Sequence, residues 1–200
     1  MKALLISDLH GDQNFLHVLR DILQNYDLIL CTGDLTNFGT PTDYPFKLKE
    51  IVGKTKFLWV SGNNDIGQQY QYSLDPLLNI DGKIVEYKGI KFSGIGGSSS
   101  NYEGQNFGPS IINGEQNISD TILLTHIPPS RALKYSINDY ACQNGQHKLK
   151  NAPKAHLCGH LHHLVGTACI GNTKVIKIGA AVNGCYTELD LNSLEVKYIN

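Results

Sequence analysis

Short apolar segments alternate with helix-like stretches in the N-terminal part of this chain, and this alternation constrains the fold more than any other feature. Ala3–Ser7, Leu28–Cys31 and Phe57–Val60 have the length and composition of buried strands. Between them, Asn14–Leu23 places its apolar side chains on one helical face, and Pro41–Val52 predicts a second helix that begins with a proline. Strand–helix–strand alternation on this spacing predicts a mostly parallel sheet that is covered on both faces.

Strands dominate the pattern from about residue 83 onwards. Further strands are predicted at Lys83–Tyr87, Ile90–Ser93, Ile122–Thr125, Ala155–Cys158, Val165–Ile170, Lys174–Ile178, Tyr186–Leu191 and Leu194–Ile199. Two sheets with outer helices fit this layout. Because no tract has the composition of a linker, we expect one domain over residues 1–200. Two polar stretches without an assigned element, Gly94–Gly114 and Tyr135–Asn151, are predicted to be functional loops.

The charge balance argues against one class of partner. Lysine plus arginine is 17 and aspartate plus glutamate is 18, whereas stable binding of long nucleic acid requires a dense basic surface. A single nucleotide remains compatible, because a few groups suffice to hold one phosphate. No apolar window reaches the roughly 18 residues of a membrane span. Five cysteines without paired close spacing, and an N-terminus typical of a strand rather than a signal peptide, indicate a reduced cytoplasmic protein.

Metal-ligand residue types follow five of the predicted strands, always at the same end. They are Asp8 and His10, Asp34, Asn63, His126, and His160 and His162. Ligand sites of open α/β sheets lie at the carboxyl ends of the strands, so we expect these side chains to converge. Imidazole with carboxylate suits manganese, iron, nickel, cobalt or zinc better than calcium, and magnesium is a further alternative. Seven ligands exceed the needs of one tetrahedral zinc but suit two metals that share a carboxylate.

These residues belong to five motifs that resemble those of the calcineurin-like metallophosphoesterases. The motifs are Asp8-Leu9-His10, Gly33-Asp34, Gly62-Asn63-Asn64-Asp65, Thr125-His126 and Gly159-His160-Leu161-His162. The resemblance covers residues 3 to about 190, and His126-Ile127-Pro128-Pro129 looks like the small prokaryotic and archaeal phosphodiesterase branch. It implies an α/β fold, a four-layer αββα sandwich of two mixed sheets flanked by helices.

The resemblance also implies a cofactor, which is a pair of divalent metal ions with manganese as the first expectation. Asp8, His10 and His162 would hold one ion, and Asn63, His126 and His160 the other, with Asp34 bridging the two. A hydroxide between the metals would then attack the phosphorus of a phosphate ester.

The third motif departs from the family pattern, in which a histidine at its third position assists departure of the leaving group. Here that position is Asn64, whose amide donates hydrogen bonds but is no general acid near neutral pH. Positioned acid catalysis typically contributes a factor of ~10²–10⁴. A diester carries one fewer negative charge and often has a better leaving group. We therefore favour a phosphodiesterase with a small, nucleotide-type substrate, and we keep Asn64 and Asp65 as candidate catalytic residues.

Two alternatives stay open at this point, a phosphomonoesterase or nuclease of the same family and a metal-binding scaffold with weak or no turnover. A Ser/Thr protein phosphatase is disfavoured, because Leu35-Thr36-Asn37 replaces the arginine-bearing motif expected after Gly33-Asp34. Asn64 is the first candidate for substrate binding, and His147 in the second polar stretch is a further one. The exposed face of the tail strands could pair two subunits, so a homodimer is a further expectation.

Overall fold

Twelve strands in two sheets form the framework of the part of the chain that the computed structural model describes, which is residues 1–37, 40, 43–65, 74–97, 118–129, 152–170 and 173–200. The strands are β1 (Lys2–Ile6), β2 (Leu28–Cys31), β3 (Lys56–Trp59), β4 (Leu77–Asn79), β5 (Ile84–Tyr87), β6 (Ile90–Ile95), β7 (Thr121–Thr125), β8 (Ala155–Cys158), β9 (Gly166–Ile170), β10 (Thr173–Lys177), β11 (Tyr186–Asp190) and β12 (Val196–Ile199). The helices are α1 (Gln13–Ile22) and α2 (Tyr44–Val52), with short 3-10 turns at Leu23–Asn25 and Ala181–Asn183. The predicted loop Tyr135–Asn151, with His147, and most of Gly94–Gly114 lie outside the described residues.

The two sheets have matching designs. The first has the order β12-β11-β1-β2-β3-β4, and β1 to β4 are parallel. The second has the order β5-β6-β7-β8-β10-β9, with β6, β7, β8 and β10 parallel and the outer strands antiparallel to their neighbours. The predicted α/β sandwich of two mixed sheets is therefore confirmed.

Alternating side chains of the strands supply two separate apolar layers. Ala3 and Leu5 of β1 face the second sheet and pack with side chains such as Leu124 and Leu157. The intervening Leu4 and Ile6 face the other way and pack in the layer that α1 and α2 complete. Among the described residues both α-helices lie on this first sheet, so a fourth, helical layer is not represented there. No helix in the described ranges is long and apolar enough to cross a membrane.

Most element boundaries lie within one residue of the sequence predictions, and a few differ by more. The second helix begins at Tyr44 rather than Pro41, and Pro45 occupies its first turn, where a missing N–H is tolerated. Strand β4 was not predicted, because it is only three residues long. The final strand begins at Val196 rather than Leu194, since Leu194 adopts a turn conformation with φ of 58°.

Candidate metal centre

The seven metal-ligand candidates lie together where the carboxyl ends of the parallel strands of both sheets meet. The first sheet supplies Asp8 and His10 after β1, Asp34 after β2 and Asn63 after β3, and the second supplies His126 after β7 and His160 and His162 after β8. Neither sheet holds the full set, so the site forms only when the two sheets pack.

One group of donor atoms consists of Asp8, His10 and His162. The Nε2 atoms of His10 and His162 are 3.1 Å apart. Asp8 Oδ1 lies 3.2 Å from His162 Nε2 and 3.8 Å from His10 Nε2. Asp8 is buried, whereas 38% of the His162 side chain is exposed, so this group is accessible to solvent on the His162 side.

His126 is at the middle of the second group. Its Nε2 atom lies 3.0 Å from Asn63 Oδ1, 3.2 Å from His160 Nδ1 and 3.3 Å from Asp34 Oδ2. The same Asp34 oxygen is 3.8 Å from His10 Nε2. The carboxylate predicted to bridge the metals therefore lies between the two groups.

The protonation of His126 follows from its partners. Its Nδ1 atom is 2.9 Å from the carbonyl oxygen of Thr32, which only accepts, so Nδ1 carries a hydrogen and the neutral ring presents a lone pair at Nε2. That lone pair faces the oxygen atoms of Asn63 and Asp34, which are acceptors as well. Acceptor atoms that face one another repel unless a proton on Nε2 or a metal cation lies between them. The donor set therefore fits a divalent metal ion.

The charge states of the neighbouring groups also suit a cation site. Burial raises the pKa of Asp34, but hydrogen bonds from His126 and Asn64 outweigh this effect and hold the pKa at about 2. Burial and the adjacent His126 lower the pKa of His160, which favours the neutral imidazole that can bind a metal. For His126, burial lowers the pKa, while the hydrogen bond and charge of Asp34 raise it by more, so in the metal-free site a proton on Nε2 takes the place that a metal cation would occupy.

Four of the candidates have a left-handed backbone conformation, which is uncommon for residues other than glycine. The φ angles are 55° at Asp8, 50° at His10, 53° at Asp34 and 71° at His160. Backbone hydrogen bonds between the strand-end loops hold this geometry, since Asp8 donates to the Gly33 carbonyl at 2.9 Å and His10 to the Asp34 carbonyl at 3.0 Å. Conformations of this kind cost of order 1–3 kcal/mol each and concentrate at functional sites.

Two glycines of the motifs are required by close packing. A Cβ atom at Gly62 would overlap Oδ1 of Asp34, and one at Gly159 would overlap the hydroxyl of Ser7. Both glycines lie one residue before a ligand candidate, namely Asn63 and His160. Their missing side chains allow the strand-end loops to approach closely enough for the two groups of donors to meet.

Asn64 and Asp65 have different surroundings, although both were predicted to be catalytic. The Asn64 side-chain amide donates to Asp34 Oδ2 at 2.7 Å, and its backbone N–H donates to Asp34 Oδ1 at 2.8 Å. Asp65 instead accepts from the Thr36 backbone and hydroxyl, both at 3.0 Å, and from the Gly62 N–H at 2.8 Å. These hydrogen bonds go to the loops that carry the ligand candidates, so they favour a positioning role for Asp65, while its catalytic role stays a prediction. Burial raises the pKa of Asp65 to about 6, and the charge of Asp34 adds to this rise.

The orienting partners of the site were not predicted. The Thr32 carbonyl fixes the His126 ring, and Thr36 fixes Asp65 across 29 residues of sequence. A threonine after a strand carries no distinctive signal, and a backbone carbonyl carries none at all. His147, the remaining substrate-contact candidate, lies outside the described residues.

Comparisons with known proteins bear on the family and the fold of the chain. The family model described as calcineurin-like phosphoesterase matches residues 1–164. An uncharacterised protein of Methanocaldococcus jannaschii is 28% identical over 191 residues, which is 88% of this chain and 87% of that protein. A crystal structure of a Thermus thermophilus protein aligns with a TM-score of 0.75 at 15% identity, covering 100% of this chain and 98% of the other. A structure described as a novel archaeal phosphodiesterase aligns with a TM-score of 0.60 at 17% identity, covering 100% and 99%. At this level of sequence identity, the two structural alignments show that the fold is shared and nothing more.

Proposed function

Since the chain belongs to the calcineurin-like phosphoesterase family, we propose that it hydrolyses phosphate diesters with a pair of divalent metal ions. The observation that carries this proposal is the convergence of two donor groups on Asp34 Oδ2, which lies 3.3 Å from His126 Nε2 and 3.8 Å from His10 Nε2. A carboxylate that faces two sets of imidazoles is placed to bridge two metal ions, and paired metals of this kind catalyse in-line displacement at phosphorus.

The proposed ligands divide as the two donor groups do. Asp8, His10 and His162 would hold one ion, Asn63, His126 and His160 the other, and Asp34 both. When bound, two such cations supply an activated water as nucleophile and neutralise charge on the phosphoryl oxygens. Only Asp8 and Asp34 bring negative charge to the ligand set, so a loaded site would remain positive and attract an anionic ester. We propose manganese as the first metal to test.

The preference for a diester rests on Asn64. Its amide can donate a hydrogen bond to a ligand oxygen but has no proton to give to an alkoxide leaving group near neutral pH. Esters with good leaving groups and low negative charge depend least on such an acid. A structural relative of the same fold is described as an archaeal phosphodiesterase, which is in line with a diester substrate. A substrate of nucleotide size would match the near-neutral net charge of −1.

The test combines metal analysis with paired substrates. Metal content per chain is measured by mass spectrometry after loading with Mn, Ni, Co, Mg or Zn, and each form is assayed with bis-p-nitrophenyl phosphate and p-nitrophenyl phosphate. We expect about two metals per chain and a higher kcat/KM for the diester. Equal or reversed rates would contradict the diester preference. Full metal loading without turnover of either ester would instead support the metal-binding scaffold.

A further inference from the structure

A half-buried acidic residue outside the ligand set, Asp81, lies directly beyond β4 and makes five hydrogen-bond contacts with its neighbours Ser61 and Asn79. The Ser61 hydroxyl donates to Asp81 Oδ2 at 2.6 Å, and the Ser61 backbone N–H lies 3.1 Å and 3.3 Å from the two carboxylate oxygens. The side-chain amide of Asn79 donates to Oδ2 at 3.3 Å, and Asn79 Oδ1 accepts from the Asp81 N–H at 3.0 Å. Asp81 thus binds Ser61, in the segment that follows β3, and Asn79, at the end of β4.

The end of β6, in the second sheet, packs against the same carboxylate. A Cβ atom at Gly96 would overlap the Asp81 oxygens, so the Gly96 backbone lies directly on them. The next N–H, that of Gly97, donates to the Ser61 carbonyl at 2.8 Å. Asp81 also forms a bridge with Gly94, and Gly82 donates to the Gly94 carbonyl at 2.9 Å. Asp81 therefore joins a strand end of the first sheet to a strand end of the second.

Both joined strand ends lead into the second group of metal-ligand candidates. Ser61 is two residues before Asn63 in the loop after β3. In the second sheet, Ile95 of β6 pairs with Thr125 of β7, and His126 is the next residue. Asn63 Oδ1 and His126 Nε2 are 3.0 Å apart, so these two side chains meet across the junction of the two sheets that Asp81 holds together.

We propose that Asp81 is a positioning residue for the second metal, because it fixes the loop of Asn63 against the strand that carries His126. This inference rests on the proposed two-metal function. The first group, Asp8, His10 and His162, depends instead on β1 and β8, which Asp81 does not join. Loss of the Asp81 carboxylate should therefore weaken one metal site and spare the other.

A carboxylate at this position has a cost that an apolar side chain would avoid. Burial raises the pKa of Asp81, while the hydrogen bonds from Ser61 and Asn79 lower it. What the carboxylate provides, and an apolar side chain could not, is an acceptor for both the N–H and the hydroxyl of Ser61.

The test measures stepwise manganese binding by calorimetry, with electron paramagnetic resonance to distinguish coupled pairs from single ions. In Asp81→Asn we expect one equivalent to bind as in the unsubstituted chain and the other about tenfold or more weakly, as is typical for partners that orient ligands. Ser61→Ala, which deletes only the 2.6 Å hydroxyl bond, should give a smaller loss in the same site. The matched control is Asp190→Asn, because Asp190 also accepts backbone N–H groups, from Asn192 and Ser193, at the opposite end of β1 and β11.

A second measurement does not depend on metal. Amide hydrogen exchange of the metal-free protein should accelerate about tenfold or more at Gly62 and Asn64 in Asp81→Asn, with Asp8 and His10 unchanged. Two outcomes would overturn the role of Asp81 without affecting the two-metal function. One is equal weakening of both metal sites, and the other is unchanged metal binding together with unchanged hydrogen exchange. An unsubstituted chain that binds fewer than two manganese ions would overturn the two-metal function and, with it, the assignment of Asp81 to a second metal.

Discussion

At the scale of single residues, the site depends on backbone conformations that most side chains disfavour. Four of the seven ligand candidates have φ between 50° and 71°, and each lies in a loop directly after a strand. A left-handed residue turns the chain sharply, which points its side chain back over the strand end. The hydrogen bonds from Asp8 to Gly33 and from His10 to Asp34 maintain these turns. The fold therefore holds the ligand candidates at some local energetic cost.

Asn64 gives a prediction at this scale. In Asn64→His, an imidazole would stand beside Asp34, where the amide now donates at 2.7 Å. Because a general acid matters most for poor leaving groups, kcat/KM for an alkyl phosphate ester should rise roughly tenfold or more, as part of the ~10²–10⁴ that a well-positioned acid contributes. Esters of p-nitrophenol should change much less. The measurement is a leaving-group series with the manganese-loaded protein, and Asn64→Gln is the control without a titrating ring. An equal gain for alkyl and p-nitrophenyl esters would contradict an acid role.

The ligand candidates could be selected from the sequence, but the residues that hold their loops in place could not. Asp8, His10 and His162 stand in short motifs after apolar strands, so spacing along the chain was sufficient. The role of Asp65 depends on Thr36, which is 29 residues away, and Asp81 depends on Ser61, 20 residues away. Contacts of this kind arise from packing, and their residue types are ordinary for loops.

At the scale of elements, strand boundaries were the most predictable part of the fold. The predicted bounds of β2 and β8 agree with the structure, because four consecutive buried positions end at a clear change in polarity. The Lys88-Gly89 turn was also predictable, and its φ values of 48° and 81° are those that a tight hairpin requires. The 3-10 turn at Ala181–Asn183 was not, since its contacts with Ser7 and Asp8 are backbone hydrogen bonds.

The junction between β1 and β8 gives a prediction at the element scale. In Gly159→Ala, the new methyl group would meet the Ser7 hydroxyl, so the two strand ends must separate. We expect a loss of about 1–3 kcal/mol in the free energy of unfolding, typical of overpacking, together with weakened metal binding. Urea unfolding and manganese titration measure the two effects. Gly89→Ala is the control, because it has φ of 81° but no atom within 4 Å, and it should lose stability without losing metal. Retention of full metal affinity by Gly159→Ala would argue against the close approach.

At the scale of the whole molecule, the candidate site depends on the packing of the two sheets against each other. The first sheet contributes Asp8, His10, Asp34 and Asn63, and the second contributes His126, His160 and His162. The inter-sheet layer, with side chains such as Leu5, Leu30, Leu124 and Leu157, is therefore what brings the donors together. The sheet order was not predictable in detail, because β10 inserts between β8 and β9 and β11 returns to pair with β1. Sequence periodicity indicates that strands exist but does not say which strands are neighbours.

Global stability should fall at acid pH through His156, which is fully buried on β8. Its Nε2 atom lies 2.7 Å from the Thr125 hydroxyl, which itself donates to the Ile127 carbonyl at 2.7 Å, so the Nε2–H group is the donor. Burial lowers the pKa of His156 from 6.5 to about 3. Below about pH 6.5, His156 therefore binds a proton in the unfolded chain but not in the folded chain. The free energy of unfolding falls by about 1.4 kcal/mol for each pH unit below this value, until the pKa of His156 in the folded chain is reached.

The measurement is urea unfolding of the metal-free protein between pH 7 and pH 4. His156→Gln should reduce the slope of the unfolding free energy against pH by about 1.4 kcal/mol per unit in the lower part of this range. The matched control is His163→Gln, because His163 is exposed in the segment between β8 and β9. This substitution should leave the slope unchanged. Equal slopes for His156→Gln and the unsubstituted chain would mean that His156 is protonated in the folded state. That result would contradict a buried, neutral His156 ring that joins β8 to the end of β7.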